Sequence, residues 1–226
     1  MIELLSPRKI QQSEYAKKLA SSGVKGGWNY ILDHSWLFEK ISQYIKDYPQ
    51  IYPVILDIGC GRSMLHTFLE EELNIGIIGI DRFSGQDAID KRDRRMDLCI
   101  DFVKDDVFLK ETVDIIYWCS SIEHNSIEDQ KKCVCKSLEI LKSNGLFLAT
   151  FAYSKTTHYN EPSQQINLNA KDAVEVYGVE WKGTTDFDEM VKEYQEDIFD
   201  LDTRHFKRYG CRDYDFIVAA AEIVKE

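Results

Sequence analysis

Four apolar runs punctuate the middle of the chain, and amphipathic segments fill the intervals between them. Val54-Ile55-Leu56 leads into Asp57-Ile58-Gly59-Cys60-Gly61, and Ile75-Gly76-Ile77-Ile78-Gly79-Ile80 ends at Asp81. Val113 to Ser120 and Leu146 to Phe151 make up the other two. Short apolar runs bounded by turn residues predict strands covered on both faces, as in a parallel sheet. After the first run, Met64, Leu65, Phe68, Leu69 and Leu73 recur at helical spacing. After the third, Ile127, Val134, Leu138 and Leu141 do the same behind Ser126 and Asp129, a capping-box-like start, and Asn144-Gly145 is expected to stop that helix. Strand alternating with helix predicts an α/β architecture.

The flanks read differently. Residues 8–21 and 33–47 predict helices, joined by the glycine-rich stretch Ser21 to Gly27 beside Trp28, Tyr30, His34 and Trp36. Trp28 and Tyr30, next to the glycines, are candidates for a mobile lid that touches substrate; Trp36 and Phe38 fit a packing role equally well. Residues 152–169 are polar, contain Tyr153, His158 and Tyr159, and form an insertion at the expected ligand edge of the sheet. A helix over about 186–194 and a strand from Tyr214 to Ala221 predict a closing antiparallel pair. The reading is a single domain over 1–226, with a helical cap or lid over 1–50 and a core over 51–226.

A strand that ends in an acid and two glycines is suited to hold a nucleotide-type cofactor, because glycine permits a tight turn and close backbone approach. A dinucleotide fingerprint would place a further glycine at position 64, where Met64 stands, so an NAD-dependent oxidoreductase is the weaker reading. Such glycines also occur in ordinary turns. Asp81 changes that balance: it lies about twenty residues past Gly59, where a carboxylate accepts two ribose hydroxyls and repels a 2'-phosphate.

The D-x-G-x-G pattern at 57–61 resembles motif I of the class I S-adenosylmethionine (SAM) methyltransferases, small-molecule type. The likeness continues through Asp81, through the strand from Val113 that runs into Ser120-Ser121-Ile122-Glu123-His124-Asn125, and through Leu141-Lys142-Ser143-Asn144-Gly145 before the fifth strand. It covers residues 50–152. The resemblance implies a Rossmann-like three-layer sandwich with a seven-stranded, mostly parallel sheet, a C-terminal antiparallel hairpin and additional N-terminal helices. It implies SAM as cofactor, S-adenosylhomocysteine as product, and a cofactor site of Asp57, Gly59, Cys60, Gly61, Asp81, Arg82, Asp97, Leu98, Ser120 and Ser121. Asp97 with Leu98 would meet the adenine, with Asp101 as the nearby alternative.

On the acceptor side, His124 or His158 is the candidate general base, and Trp28, Tyr30, Glu123, Tyr153 and Tyr159 are candidate substrate contacts. Glu123 and His124 have a bland alternative, capping the following helix. The expected reaction is methyl transfer to a small molecule, at the hydroxyl of a sugar or other metabolite. A SAM-binding module without catalysis is an alternative. A metal-dependent RNA 2'-O-methyltransferase would need E-x-x-E-H; Ser120 replaces its first carboxylate, and no metal is expected.

Composition narrows the partners. A chain of 226 residues with 44% hydrophobic residues can bury one substantial core. A formal charge of -11 makes nucleic acid an improbable partner, and the basic run Lys91 to Arg95 is interrupted by Asp93. The six cysteines are scattered rather than paired in a framework, which suits reduced thiols and a cytoplasmic location, with no membrane association. Cys133 and Cys135 are two apart on a helix and do not share a face for zinc. Oligomeric state is not encoded in any of these features.

Overall fold

The computed structural model describes residues 1–21, 28–49, 52–61, 65–82, 98–161, 163–197 and 216–226. Chain order runs β1 (Ile2–Leu4), α1 (Pro7–Gln11), α2 (Glu14–Ser21), α3 (Trp28–Asp47), β2 (Ile55–Ile58), α4 (Leu65–Leu73), β3 (Ile78–Asp81) and β4 (Leu98–Cys99). It continues with β5 (Val113–Cys119), α5 (Ile127–Ile140), β6 (Leu141–Tyr153), β7 (His158–Asn160), β8 (Gln165–Asn167), α6 (Ala170–Tyr177), α7 (Phe187–Asp197) and β9 (Ile217–Val224).

Seven strands form one sheet in the spatial order β1-β9-β6-β5-β2-β3-β4, and β7 and β8 form a separate antiparallel pair. Neighbours from β6 to β4 are parallel, while β9 runs antiparallel to both β6 and β1. The predicted Rossmann-like, mostly parallel sheet is therefore present. Its core is built from the predicted runs: Ile55, Leu56, Ile115, Ile116, Tyr117, Phe147 and Leu148 are buried, as full burial on both sheet faces requires.

Two local details depart from expectation. The outer neighbour of β9 is not the other arm of a hairpin but the N-terminal strand β1, with Ile2 opposite Ala221. Tyr214 and Asp215, expected at the start of the last strand, lie outside the described residues. Helix α5 stops at Ile140, and Asn144-Gly145 lies inside β6. Asn144 has φ 63, and a Cβ at Gly145 would stand 2.7 Å from the Lys142 carbonyl, so these residues serve an irregularity where the β5–β6 register shifts. Lys142 reaches back from there to both oxygens of buried Asp114, at 2.9 and 2.8 Å.

Helix α3 begins at Trp28, five residues ahead of the predicted start, so Trp28 and Tyr30 belong to its first turn. Trp36 is buried and its indole donates to Glu3 at 2.9 Å, which ties α3 to β1. Phe38 stacks on Tyr15 at 4.3 Å between ring centroids, so both aromatics take the packing role. Cys133 is buried and Cys135 exposed, as their spacing requires.

Candidate active site

A cavity of about 500 Å³ opens at the carboxyl ends of β2, β3 and β5. That is the edge where ligands bind in open parallel sheets, and the volume lies within the range of about 300–1,000 Å³ usual for cofactor and small-molecule sites. One wall is the glycine loop. Gly59 and Gly61 have φ of +76 and +59, which side-chain-bearing residues rarely adopt. The amides of Gly59 and Cys60 donate to the Ile80 carbonyl at 2.7 and 3.1 Å, and the Gly61 amide donates to the Asp81 carboxylate at 2.8 Å. The loop is thereby fastened across β2 to the end of β3. A Cβ at Gly59 would lie 2.7 Å from the Ser121 Cβ, and Ser121 in turn donates to the Ile58 carbonyl at 2.9 Å. The absence of a side chain at 59 is what lets the ends of β2 and β5 close together.

The cavity gathers Tyr30, Asp57, Gly59, Cys60, Gly61, Asp81, Arg82, Ser120, Ser121 and His124 from the residues expected at the site. Other expected residues stand elsewhere. Leu98 is an exposed residue of the edge strand β4, whereas Asp101 and Phe102 line the cavity. Phe102 meets Trp118 edge-on at 5.4 Å, giving this end an apolar, aromatic wall. Asp97 lies outside the described residues, as do the side chain of Trp28 and the basic run 91–95. Tyr153 is buried away from the cavity, its hydroxyl donating to the Thr185 carbonyl at 2.7 Å. Tyr159 is exposed on β7 and does not line the cavity.

The two candidate bases are held differently. His124 ends a short 3-10 turn, Ile122–His124, and lines the cavity. Its Nδ1 donates to the Gln164 carbonyl at 2.8 Å, so the neutral ring carries its proton there and keeps Nε2 as an acceptor. His158 lies outside the cavity and engages both nitrogens, Nδ1 with the Thr156 carbonyl at 2.8 Å and Nε2 with the Asn167 amide at 3.3 Å. Ser126, not Glu123 or His124, caps α5 by accepting from the Asp129 amide at 3.1 Å. Glu123 is buried outside the cavity.

Burial dominates the electrostatics. It pushes the Asp57 carboxyl up to about 8, with Asp81 adding to the rise and Tyr117 opposing it, and His66 Nδ1 stands 3.7 Å from that carboxylate. Glu123 rises to about 8 and Asp33 to about 7, again chiefly by burial. His34 falls to about 3, because burial and then the neighbouring His66 disfavour its cation. Asp101 is lowered by its hydrogen bond with Lys104.

Several lining residues escaped the motif reading: His34 from α3, His66 from α4, Phe102, and Ser163 and Gln164 from the β7–β8 turn. The i to i+4 spacing of Tyr30 and His34 was the available signal for α3. Nothing local signalled that Ser163 and Gln164 fold back over His124.

Fold and cavity together define a Rossmann-like α/β protein with a ligand-sized cavity at the carboxyl ends of its parallel strands. Residues 56–149 match the family described as a methyltransferase domain, and the glycine loop, Asp81 and His124 all fall inside that span. Among solved structures the chain is similar to the cyclase SpnF (15% identity, 89% of this chain and 84% of that one, TM-score 0.54). It is also similar to geranyl diphosphate C-methyltransferase from Streptomyces coelicolor A3(2), solved with Mg2+, geranyl diphosphate and S-adenosyl-L-homocysteine (12%, 95% and 99%, 0.53). A SAM dependent methyltransferase from Archaeoglobus fulgidus is similar too (14%, 84% and 94%, 0.50). At such identities the likeness speaks to fold alone. No curated protein matches the chain. Among the described residues, no helix is long and apolar enough to cross a membrane.

Proposed function

We propose that the protein transfers the methyl group of SAM to a hydroxyl of a small molecule, a sugar or other metabolite, in the cytoplasm. The observation that carries this reading is the hydrogen bond from His124 Nδ1 to Gln164, which in the neutral ring makes Nε2 the acceptor nitrogen of a residue on the cavity wall. SAM, when bound, supplies an electrophilic methyl on its sulfonium. The protein's part is to hold the acceptor in line and to take its proton on His124 Nε2.

In this reading the loop from Asp57 to Gly61 receives the methionine end, Asp81 and Arg82 the ribose, and Asp101 with Phe102 the adenine, in place of Asp97 and Leu98. Ser120 and Ser121 lie beneath the reacting centre. Tyr30, Ser163 and Gln164 shape the acceptor side, so both the segment 1–50 and the insertion 152–169 contribute to one domain's substrate pocket. The enclosed volume and the overall charge of -11 favour a small molecule over nucleic acid. The geranyl diphosphate enzyme offers a parallel for a small acceptor beside S-adenosyl-L-homocysteine.

Calorimetric titration with S-adenosylhomocysteine and with NAD tests the cofactor assignment. Binding of the first and not the second is expected, and the reverse overturns it. Binding does not establish turnover, since a cyclase shares the fold. A panel of hydroxyl and amine metabolites with labelled SAM completes the test; label appearing only on amines would overturn the oxygen assignment.

A further inference from the structure

His124 is fixed through its backbone but not by packing of its ring. The 3-10 turn Ile122–His124 is closed by the His124 amide donating to the Ser121 carbonyl at 3.3 Å and the Asn125 amide donating to the Ile122 carbonyl at 3.1 Å, and Ile122 is fully buried beneath it. His124 itself is exposed on the cavity wall. Its side-chain torsions are therefore free to vary unless a hydrogen bond holds the ring, and general-base catalysis demands a held ring.

The holding group comes from 40 residues further along, at the tip of the β7–β8 hairpin, where the Gln164 carbonyl accepts from His124 Nδ1 at 2.8 Å. Gln164 has φ 54, a left-handed backbone that residues with a side chain seldom adopt. Beside it, the Ser163 hydroxyl is buried without a hydrogen-bond partner. Two adjacent residues of one turn thus each carry a cost that a relaxed turn would avoid, and such costs gather where a site requires a particular backbone.

The tip is built to keep that shape. The Ser163 amide donates to Asn160 Oδ1 at 3.3 Å, and the Gln164 amide donates to the Glu161 carbonyl at 3.2 Å. Below them Asn160 pairs with Gln165, and the Leu168 and Ser154 amides tie the hairpin to the end of β6 by donating to the Ala152 and Leu168 carbonyls at 3.0 and 2.9 Å. None of these bonds uses the His158 ring.

We infer that the hairpin tip is the positioning element for the base: the left-handed backbone at Gln164 presents its carbonyl to His124 Nδ1, which selects the tautomer and turns Nε2 toward the acceptor. This deepens the methyl-transfer reading above and rests on it. Gln164 is a positioning residue, since it acts through His124, and Asn160 supports it by holding the Ser163 amide. The motif residue His124 is then competent only when a distant hairpin is seated on it.

The test reads the tautomer directly. Histidine labelled with 15N in the ring gives the protonation pattern of His124 by NMR in the ligand-free protein, at a pH where the ring is neutral, with His124→Gln assigning its signals. Wild type and Gln164→Gly, in which glycine suits the left-handed backbone and keeps the carbonyl, should show the Nδ1–H form. Gln164→Val, with a branched side chain at φ 54, and Asn160→Ala, without the acceptor for the Ser163 amide, should show a mixture of tautomers. Turnover of labelled SAM on the hydroxyl metabolite that the panel identifies should fall about tenfold or more in these two, and Gln164→Gly should exceed Gln164→Val by a similar factor. Affinity for S-adenosylhomocysteine should stay within about twofold throughout. Persistence of the Nδ1–H form in Gln164→Val and Asn160→Ala, even with a lowered melting temperature, marks a merely structural tip and overturns the inference. A Gln164→Gly protein that loses the Nδ1–H form as Gln164→Val does overturns it as well. Failure of the wild type to bind S-adenosylhomocysteine overturns the methyl-transfer reading and the base with it, and the tautomer, read without ligand, tells the two failures apart. Should Gln164→Val not fold, Asn160→Ala decides in its place.

Discussion

The two walls of the cavity are built in different ways. On the cofactor side, Asp57, Gly59, Gly61 and Asp81 lie at the ends of adjacent parallel strands, and backbone hydrogen bonds to Ile80 and Asp81 lock them together. On the acceptor side, Tyr30, His34, His124, Ser163 and Gln164 arrive from three distant segments and meet only through packing. The first wall is fixed by secondary structure and so tolerates little change in backbone. The second is fixed by tertiary contacts, and its side chains can be altered one at a time. This division suits the proposed methyl transfer, in which one cofactor is constant and the acceptor varies.

The largest effect expected from a single change falls on the cofactor wall. Gly59→Val places a branched side chain at φ +76 with its Cβ 2.7 Å from that of Ser121, so strain and overlap act together. Affinity for S-adenosylhomocysteine should fall by more than about a hundredfold, roughly 3 kcal/mol, together with a lower melting temperature. A stable variant with unchanged affinity would show that the loop does not hold the cofactor.

His124→Ala addresses the other wall. Turnover with an identified acceptor should drop by about a hundredfold or more while S-adenosylhomocysteine affinity stays within about twofold. His158→Ala is the paired control, and its turnover should stay near normal because that ring is engaged outside the cavity. If His158→Ala is the damaging change, the acceptor wall has been assigned to the wrong segment.

Asp81→Ala should weaken S-adenosylhomocysteine by about ten- to a hundredfold, as loss of charge-assisted bonds of roughly 1.5–3 kcal/mol predicts. Part of that loss will come through the loop, because the Gly61 amide loses its acceptor. An affinity change below about threefold excludes Asp81 from the ribose site.

The mildest effect is on pH dependence. Asp33, Asp57 and Glu123 are raised to about 7, 8 and 8 in the folded protein, from ordinary values of 3.8, 3.8 and 4.5. Groups raised in this way stabilise the fold fully below about pH 4, and that contribution is lost as pH climbs through 7 to 8. His34, lowered to about 3, acts in the opposite direction: its contribution is present above about 6.5 and is lost on acidification. The melting temperature of the ligand-free protein should therefore decline from pH 6.5 to 9, by about 2–4 °C for each kcal/mol lost, and Asp57→Asn should flatten the slope. A slope unchanged by Asp57→Asn would mean that this carboxyl is not the group titrating.

The same division of the cavity explains what could be read from sequence. Strand ends followed by Gly59, Gly61 and Asp81 are local signals, because the hydrogen bonds that use them span neighbouring strands. For the adenine side the sequence offered Asp97 or Asp101; Asp97 lies outside the described residues, β4 is too short for an apolar run to mark, and the cavity-lining pair Asp101-Phe102 follows it. His34 was visible as one of several residues near the glycine stretch, but its burial depends on helix packing that no periodicity reveals. Glu123 shows the limit from the other side: its motif position suggested a substrate contact, and packing buries it outside the cavity.

The pairing of β1 with β9 also has a kinetic meaning. Ile2 sits opposite Ala221, and Tyr194 of α7 secures the junction, donating to the Leu5 carbonyl at 2.7 Å and accepting from the Val218 amide at 3.1 Å. During synthesis β1 emerges long before β9, so this edge of the sheet stays unfinished until β9 has been made. Helix α3 leans on that edge through Trp36 and Glu3, and Lys40 reaches Glu222 at 2.6 Å. The helix that carries Tyr30 and His34 is thus braced at this edge only once β9 is in place.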